Sequence, residues 1–191
     1  MQMARVVFGR DGYSRTSIDR LAAEARMSTR TIYNHFPNKR TLFDEVLRDS
    51  ARKVADKFEQ DLATIESGDP RQRLVAVGIA LTTLEIENPD HFDMVRQIVP
   101  EARHVSARSL TRWQNAGPTR VVDAIADLLR EISKGGQLRF PDPRIAALQF
   151  TALTTVEVMR TWYDPLGPDP QKVAASVSAG VDVFISGYAV R

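Results

Sequence analysis

The sequence predicts an all-α protein, and three observations support this fold class. Apolar residues recur three and four positions apart along the chain, and no convincing alternating strand pattern is present. Loop signals such as Gly9–Gly12, Pro37-Asn38 and Gly135-Gly136 divide the chain into roughly nine or ten helical segments. Of its 191 residues, 43% are hydrophobic and 26% are charged, which is enough apolar material for a packed core.

The composition excludes several kinds of site. Cysteine is absent, which rules out disulfides and thiolate metal ligands and is typical of a cytoplasmic protein. The three histidines, His35, His91 and His104, have no metal-ligand spacing, so neither a metal nor another cofactor is expected. No run approaches the roughly 18 apolar residues of a membrane span, and the N-terminus lacks a secretory signal. We therefore expect a cytoplasmic protein that makes no membrane contact.

Positive charge is concentrated at the N-terminus. Residues 1–40 contain eight Lys or Arg and three Asp or Glu, a net charge of +5, whereas the remaining residues have a net charge of −3. A basic segment followed by a mildly acidic body indicates that one part of the chain contacts a polyanion.

Helix-capping residues define the N-terminal elements. A short first helix is predicted to end near Phe8. A second helix is predicted from Ser17 to Ala25, with Thr16 as its N-cap. The third begins at the N-cap Ser28 and stops before Pro37, and Asn38 caps a long fourth helix.

The third helix exposes most of its side chains. Only Ile32 and Phe36 share an apolar face, and the remaining residues point elsewhere: Thr29, Arg30, Thr31, Tyr33, Asn34 and His35. Two helices joined by so short a turn form a helix-turn-helix, whose second helix lies in the major groove of DNA. Arg30 can donate two hydrogen bonds to guanine, and Asn34 can pair with adenine. The threonines, Tyr33 and His35 offer hydroxyl, methyl and ring groups to phosphate or thymine.

Two cations begin the fourth helix. Lys39 and Arg40 stand where they oppose the helix dipole, each by about 0.3–1 kcal/mol. A bound phosphate would reverse this penalty, because backbone N–H groups at a helix start and adjacent cations hold anions together. We expect a DNA strand to pass both residues.

Residues 12–43, G-Y-S-R-T-S-I-D-R-L-A-A-E-A-R-M-S-T-R-T-I-Y-N-H-F-P-N-K-R-T-L-F, resemble the N-terminal domain of the TetR (tetracycline-repressor) family. The resemblance is strongest over residues 3–50, and its most specific part is Thr31 to Phe43. It implies a helix-turn-helix DNA-binding domain at 1–47 and an effector-binding and dimerisation domain at 48–191. By this resemblance the phosphate-contacting positions are Thr16, Ser17, Ser28, Tyr33, His35 and Lys39. Its base-reading surface falls on Thr29, Arg30 and Asn34.

The sequence departs from the family pattern in two places. The chain starts inside the first helix, where family members usually have a basic arm upstream, so the natural start is expected to lie upstream. Arg26-Met27 occupies the turn where a Gly-Val pair is common. If Arg26 adopts a left-handed conformation, it carries about 1–2 kcal/mol of strain.

The last two helices, predicted near 142–164 and 168–189, are expected to form a homodimer interface. The first has apolar residues on more than one face, and one of these faces comprises Ile145, Leu148, Ala152, Val156 and Met159. The second contains many small residues, which let helix axes approach closely. One apolar face would pack on its own domain and the other on a partner, as in the family.

The resemblance also implies an effector pocket enclosed by helices near 52–134. The candidate lining residues are Leu81, Phe92, Met94, Trp113, Gln149, Phe150 and Met159, with Glu157 or Arg160 as further polar anchors. A small, mainly apolar effector is then expected to release a repressor dimer from a palindromic operator.

Two other functions compete with this one. The chain has no nucleophile elbow, phosphate-binding glycine loop, zinc-protease motif or cysteine nucleophile, so it is not expected to be an enzyme. A helix-turn-helix protein without small-molecule input, acting through a protein partner, stays open as the alternative.

Overall fold

The computed structural model describes residues 1–98, 105–164 and 166–190 and confirms the all-α fold. The helices in these ranges are α1 (Gln2–Arg15), α2 (Ile18–Glu24), α3 (Thr29–His35), α4 (Lys39–Ala63), α5 (Pro70–Glu87), α6 (Pro89–Ile98), α7 (Ala107–Ala116), α8 (Pro118–Ser133), α9 (Pro143–Arg160) and α10 (Pro170–Tyr188). A 3-10 turn, Thr161–Tyr163, follows α9. His104 and the end of the helix predicted near 90–103 lie outside the described residues.

The predicted end of the first helix near Phe8 is wrong, because α1 continues to Arg15. Gly9, read as a loop signal, lies inside the helix where α6 approaches closely. A Cβ atom at Gly9 would lie 3.0 Å from Asp93 Cβ and 3.3 Å from the Met94 backbone nitrogen. The glycine therefore serves helix packing, and the kink in α1 comes only at Gly12, where φ is 77°.

Cα packing divides the chain into two compact units. The N-terminal unit comprises Met1–Ala55 and Asn88–Pro118, and the C-terminal unit comprises Asp56–Glu87 and Thr119–Arg191. The packing boundary thus differs from the predicted functional boundary between residues 47 and 48, because α6 and α7 pack with the helix-turn-helix. The assignment of DNA binding to residues 1–47 stays a prediction.

The N-terminal unit has its own core beneath α2 and α3. Aromatic rings lie at its centre: Phe43 packs edge-on against Phe8 at 5.0 Å and against Tyr13 at 5.1 Å between ring centroids. Ile32 of α3 and Met94 of α6 are buried in the same cluster. The helix-turn-helix is thus supported by residues distant from it in the sequence.

A buried histidine lies in this unit. His91 on α6 and Ser50 on α4 share a hydrogen bond of 2.8 Å between the imidazole Nδ1 and the serine Oγ. Burial, with a smaller contribution from the Arg5 cation, lowers the pKa of His91 from 6.5 to about 4. His91 is therefore neutral in the folded protein near neutral pH.

The C-terminal unit is built around α5, α9 and α10. At Gly180 of α10 an added Cβ atom would lie 2.4 Å from the Leu153 carbonyl oxygen, so only glycine allows this approach to α9. Phe150 and Phe184 pack edge-on at 5.2 Å in the same region. Across the described part of the chain, no helix is both long and apolar enough to cross a membrane.

Candidate nucleic-acid interface

The recognition helix α3 is fixed at its start and along its back. The Ser28 hydroxyl accepts a hydrogen bond of 3.0 Å from the Thr31 backbone N–H, as predicted for an N-cap. Ile32 is only 7% exposed, and Phe36 packs against the core of the N-terminal unit. The prediction that these two apolar residues anchor α3 is confirmed.

The opposite face of α3 is polar and open to solvent. Arg30, Tyr33 and Asn34 are spaced i, i+3 and i+4, which places them on one side of the helix. All three are exposed, and Tyr33 keeps 52% of its surface accessible. The guanidinium, phenol and amide are thus turned toward solvent, where base edges or phosphates can reach them.

The other polar residues of α3 differ in their exposure to solvent. Thr29 and Thr31 are partly buried, and the Thr31 hydroxyl lies 2.8 Å from the Ser28 hydroxyl. His35 is exposed, with its ring centroid 6.4 Å from that of Phe36. Of the predicted contact residues on α3, Arg30, Tyr33, Asn34 and His35 are therefore the most accessible.

The N-cap of α2 is Ser17, so the prediction of Thr16 at this position is wrong. The Ser17 hydroxyl accepts a 3.1 Å hydrogen bond from the Arg20 backbone N–H and remains exposed. Thr16 is only 2% exposed, and its hydroxyl donates to the Gly12 carbonyl at 2.7 Å. Ser17 therefore presents a hydroxyl to solvent, whereas Thr16 does not.

Ion pairs hold α2 against α1. Arg10 on α1 bonds both Asp11 and Glu24, and Arg20 on α2 reaches the Asp11 carboxylate at 3.2 Å. The hydrogen bonds from Arg10 are the main cause of the lowered pKa of the Asp11 and Glu24 carboxyl groups. These exposed pairs are individually weak but fix the orientation of α2 from several directions.

The turn between α2 and α3 contains the conformation anticipated for Arg26. Its φ is 54°, the one positive φ among the described non-glycine residues. The backbone N–H of Met27 then donates to the Ala22 carbonyl at 2.9 Å and closes α2. The turn thus keeps its geometry although an arginine occupies a position that suits glycine.

The two cations at the start of α4 have different surroundings. Lys39 Nζ donates to the carbonyl oxygens of Tyr13 at 2.9 Å and Thr16 at 2.8 Å, and it lies 4.4 Å from the centroid of the Tyr13 ring. Arg40 is exposed. The sequence predicts the same role for both cations, because their spacing alone does not distinguish them.

The seven predicted effector residues are divided between the two units. Phe92, Met94 and Trp113 belong to the N-terminal unit, and Leu81, Gln149, Phe150 and Met159 belong to the C-terminal unit. Met94 is fully buried in core packing, whereas Met159 is 44% exposed. A cleft of about 290 Å³ in the N-terminal unit, lined in part by Arg5, Ser50 and Asn88, includes none of the seven.

Apolar periodicity explains this spread, because it marks core positions as readily as ligand-binding ones. The proposed polar anchors behave similarly: Arg160 bonds Glu157 three residues earlier at 2.6 Å, a local ion pair on α9. The effector-binding role of all these residues stays a prediction.

Comparison with known protein families gives matches to two parts of the chain. Residues 1–46 match the model of bacterial regulatory proteins of the tetR family, and residues 72–190 match the C-terminal domain of AefR-like transcriptional repressors. A relative, the HTH-type transcriptional repressor KstR2 of Mycolicibacterium smegmatis, is 26% identical over 168 residues, which cover 88% of this chain and 79% of KstR2.

Solved structures share the fold over nearly the whole chain. A TetR-family protein from Mesorhizobium loti has a TM-score of 0.83 at 24% identity, covering 99% of this chain and 94% of its own. The flavonoid-responsive regulator FrrA has a TM-score of 0.70 at 23% identity, covering 99% of this chain and 95% of its own. At these identities the similarity concerns the fold alone.

Proposed function

Because the chain belongs to the TetR family of bacterial transcriptional regulators, we propose that it is a repressor that binds palindromic operator DNA as a homodimer and is released by a small, mainly apolar effector. The observation that carries the proposal is the exposed face of α3, where Arg30, Tyr33 and Asn34 stand opposite the buried Ile32. The family assigns regulation rather than catalysis to such a chain, and the site of action would be the cytoplasm.

Arg30 and Asn34 are the proposed base-reading residues. Arginine pairs with guanine O6 and N7 and asparagine with adenine N6 and N7, and each good pair contributes about 1–3 kcal/mol of discrimination. Ser17, Ser28, Tyr33 and His35 would position the helix through phosphate contacts, which carry no sequence information themselves.

A homodimer is supported by an uncovered apolar face on α9. Ile145, Leu148, Val156 and Met159 are 52%, 55%, 52% and 44% exposed, and their spacing places them on one side of the helix. Recognition helices of such readers enter half-sites about 34–36 Å apart, which requires two copies related by two-fold symmetry. Burying this face between copies would remove apolar surface from water and supply that symmetry.

Repression is supported by the match to AefR-like repressors, and release by an effector is supported by the fold shared with FrrA, a flavonoid-responsive regulator. An effector can shift the dimer only by its differential affinity for the DNA-competent and incompetent conformers. The apolar character proposed for the effector rests on the apolar-rich body of the chain, including Leu81 and Phe150.

Selection from a random duplex library tests the DNA-binding part. We expect the purified protein to enrich one palindrome and to bind it in preference to bulk competitor duplex. Failure to enrich any duplex would contradict the proposal.

A panel of flavonoids and fatty acids, screened by thermal melting and then against the selected duplex, tests the effector part. A compound at 100 times its dissociation constant adds about 2.7 kcal/mol to stability and should weaken duplex binding. If no compound does both but a protein partner changes duplex binding, regulation without small-molecule input would replace this part.

A further inference from the structure

The guanidinium of Arg5, on α1, is largely buried but poorly paired. Its side chain is only 23% exposed, and its ion pair with Asp90 spans 3.8 Å between Nη2 and the carboxylate oxygen, which is too long for a hydrogen bond. Its Nε is buried and donates to no acceptor among the described residues. Buried charges in proteins are normally hydrogen-bonded, so this cation favours a further acceptor.

A second arginine shows which acceptor suits this edge of a guanidinium. The side chain of Arg120 is 31% exposed, and it bonds both carboxylate oxygens of Glu59, from Nε at 3.0 Å and from Nη2 at 2.6 Å. Two parallel N–H···O bonds of this kind match the geometry of a carboxylate. In Arg5 the same two nitrogens are the ones that lack a hydrogen-bonded carboxylate within the described part of the chain.

Arg5 lines the cleft of about 290 Å³ that lies between α1 and α4 in the N-terminal unit. This volume is near the lower limit of small-molecule sites, about 300 Å³, so the cleft suits a ligand of few heavy atoms. The uncharged residues around it are of two kinds, polar and apolar: Gln2, Ser50 and Asn88, and Met1, Val46 and Val54. The apolar residues suit a short hydrocarbon chain, and the polar ones suit a charged head group.

The other charged side chains of the cleft already have partners. Lys53 lies 2.7 Å from the Asp49 carboxylate, and Arg52 lies 3.1 Å from it, so the charge of Asp49 is balanced locally. Arg5 therefore contributes the positive charge that is least well paired in the cleft, with Asp90 at 3.8 Å as its nearest acid. A ligand with a single negative charge complements this arrangement.

We infer that this cleft is a binding site for a small monocarboxylate, with Arg5 as the residue that holds the carboxylate group. The site lies within the N-terminal unit and includes none of the seven predicted effector residues. It is thus a second ligand site, and it does not depend on the proposed release of DNA by an apolar effector.

An NMR titration of the full chain with sodium butyrate tests the site directly. Butyrate should shift the amide resonances of Gln2, Arg5 and residues 49–54 in a saturable manner, and those of α9 should not move. Butyramide, which has the same shape without the charge, should cause no saturable shift. Inorganic phosphate, which has no apolar chain, should bind more weakly than butyrate. Shifts confined to α9, or butyramide or phosphate binding as tightly as butyrate, would overturn the inference.

Substitution of Arg5 tests which residue holds the ligand. Arg5→Met should raise the dissociation constant of butyrate at least about tenfold, because the charge-assisted hydrogen bonds to the carboxylate are lost. Arg112→Met removes an exposed arginine of the same unit and should leave butyrate binding unchanged. If Arg5→Met does not fold, Gln2→Trp serves instead, because it fills the cleft without removing a charge and should weaken binding similarly.

Three results would contradict the inference: no saturable shift in the wild type, wild-type affinity in the variant that replaces Arg5 or fills the cleft, or an equal loss in Arg112→Met. These measurements use no DNA, so their outcome is independent of whether the chain selects a duplex.

Discussion

Helices α3 and α9 each bury one face and leave the other uncovered, but the uncovered faces differ in chemistry. On α3 the open face consists of Arg30, Tyr33 and Asn34, whereas on α9 it includes Leu148, Val156 and Met159. Water forms hydrogen bonds with the polar groups on α3. Leaving this face exposed to solvent therefore costs little free energy. The face on α9 leaves apolar surface in water, and covering it gains about 25 cal/mol per Å².

The chemistry of each uncovered face indicates which kind of partner the helix suits. A face of hydrogen-bonding groups gains binding free energy only from a partner whose donors and acceptors match its own. Such a face favours specificity over affinity. An apolar face gains from any complementary apolar surface, and the same face on a second copy is always available. The proposed assignments, DNA for α3 and self-association for α9, follow from this contrast.

A charged residue in the apolar face of α9 should weaken dimerisation more than any other change weakens its own target. Leu148→Glu would place two carboxylates in the proposed interface, and because an unpaired buried charge costs about 3–5 kcal/mol, dimerisation should weaken at least 100-fold. Specific duplex binding should disappear with it. Analytical ultracentrifugation and duplex titration measure the two effects.

Lys134→Glu changes an exposed residue outside α9 and should leave both properties intact. If Leu148→Glu forms dimers over the same concentration range as the wild type, the apolar face of α9 is not the dimer interface.

The second prediction is that acid destabilises the N-terminal unit through His91. The pKa of His91 is about 4 in the folded N-terminal unit and 6.5 when unfolded, so between these values only the unfolded chain binds the proton. The contribution of His91 to the free energy of unfolding is therefore fully present above pH 6.5. It is lost as the pH drops toward 4, by about 3 kcal/mol in total. His91→Gln, which stays neutral, should abolish this part of the acid sensitivity.

Intrinsic fluorescence assigns the change in stability to one unit, because Trp113 lies in the N-terminal unit and Trp162 in the C-terminal unit. Single-tryptophan variants should show the His91-dependent transition at Trp113. Substituting the exposed His35 by Gln is the control. An equal pH slope in wild type and His91→Gln would show that His91 is not the cause.

The third effect concerns the polar face of α3. Arg30→Ala should lower discrimination at one operator position by about 1–3 kcal/mol while other positions keep their preference. Affinities for the selected duplex and its single-base variants measure this. Arg112→Ala, an exposed arginine on α7, should leave the pattern unchanged. A uniform decrease in affinity across all duplexes would reassign Arg30 to phosphate.

The features of α3 could be predicted from the sequence because the residues that determine them lie close together in the chain. Ser28 as N-cap, Ile32 as anchor and the exposed positions all depend on residues within one short helix and its periodicity. Features that depend on distant contacts were missed. Gly9 looked like a loop residue because the approach of α6 is invisible in the local sequence, and Lys39 looked free because its carbonyl partners lie 23 and 26 residues earlier. The predicted effector residues fell in two units for the same reason.

The smallest effect, at Arg26, tests whether the α2–α3 turn is held in its conformation by its surroundings. The left-handed conformation costs about 1–2 kcal/mol for a residue with a Cβ atom, and glycine avoids this strain but loses more entropy on folding. Arg26→Gly should therefore raise the free energy of unfolding by up to about 1 kcal/mol in urea melts. Ala25→Gly, one residue earlier at a φ of −78°, should instead lower it, because glycine gains nothing in the right-handed region. If Arg26→Gly is destabilising, the arginine side chain must stabilise the fold by more than its backbone strain costs.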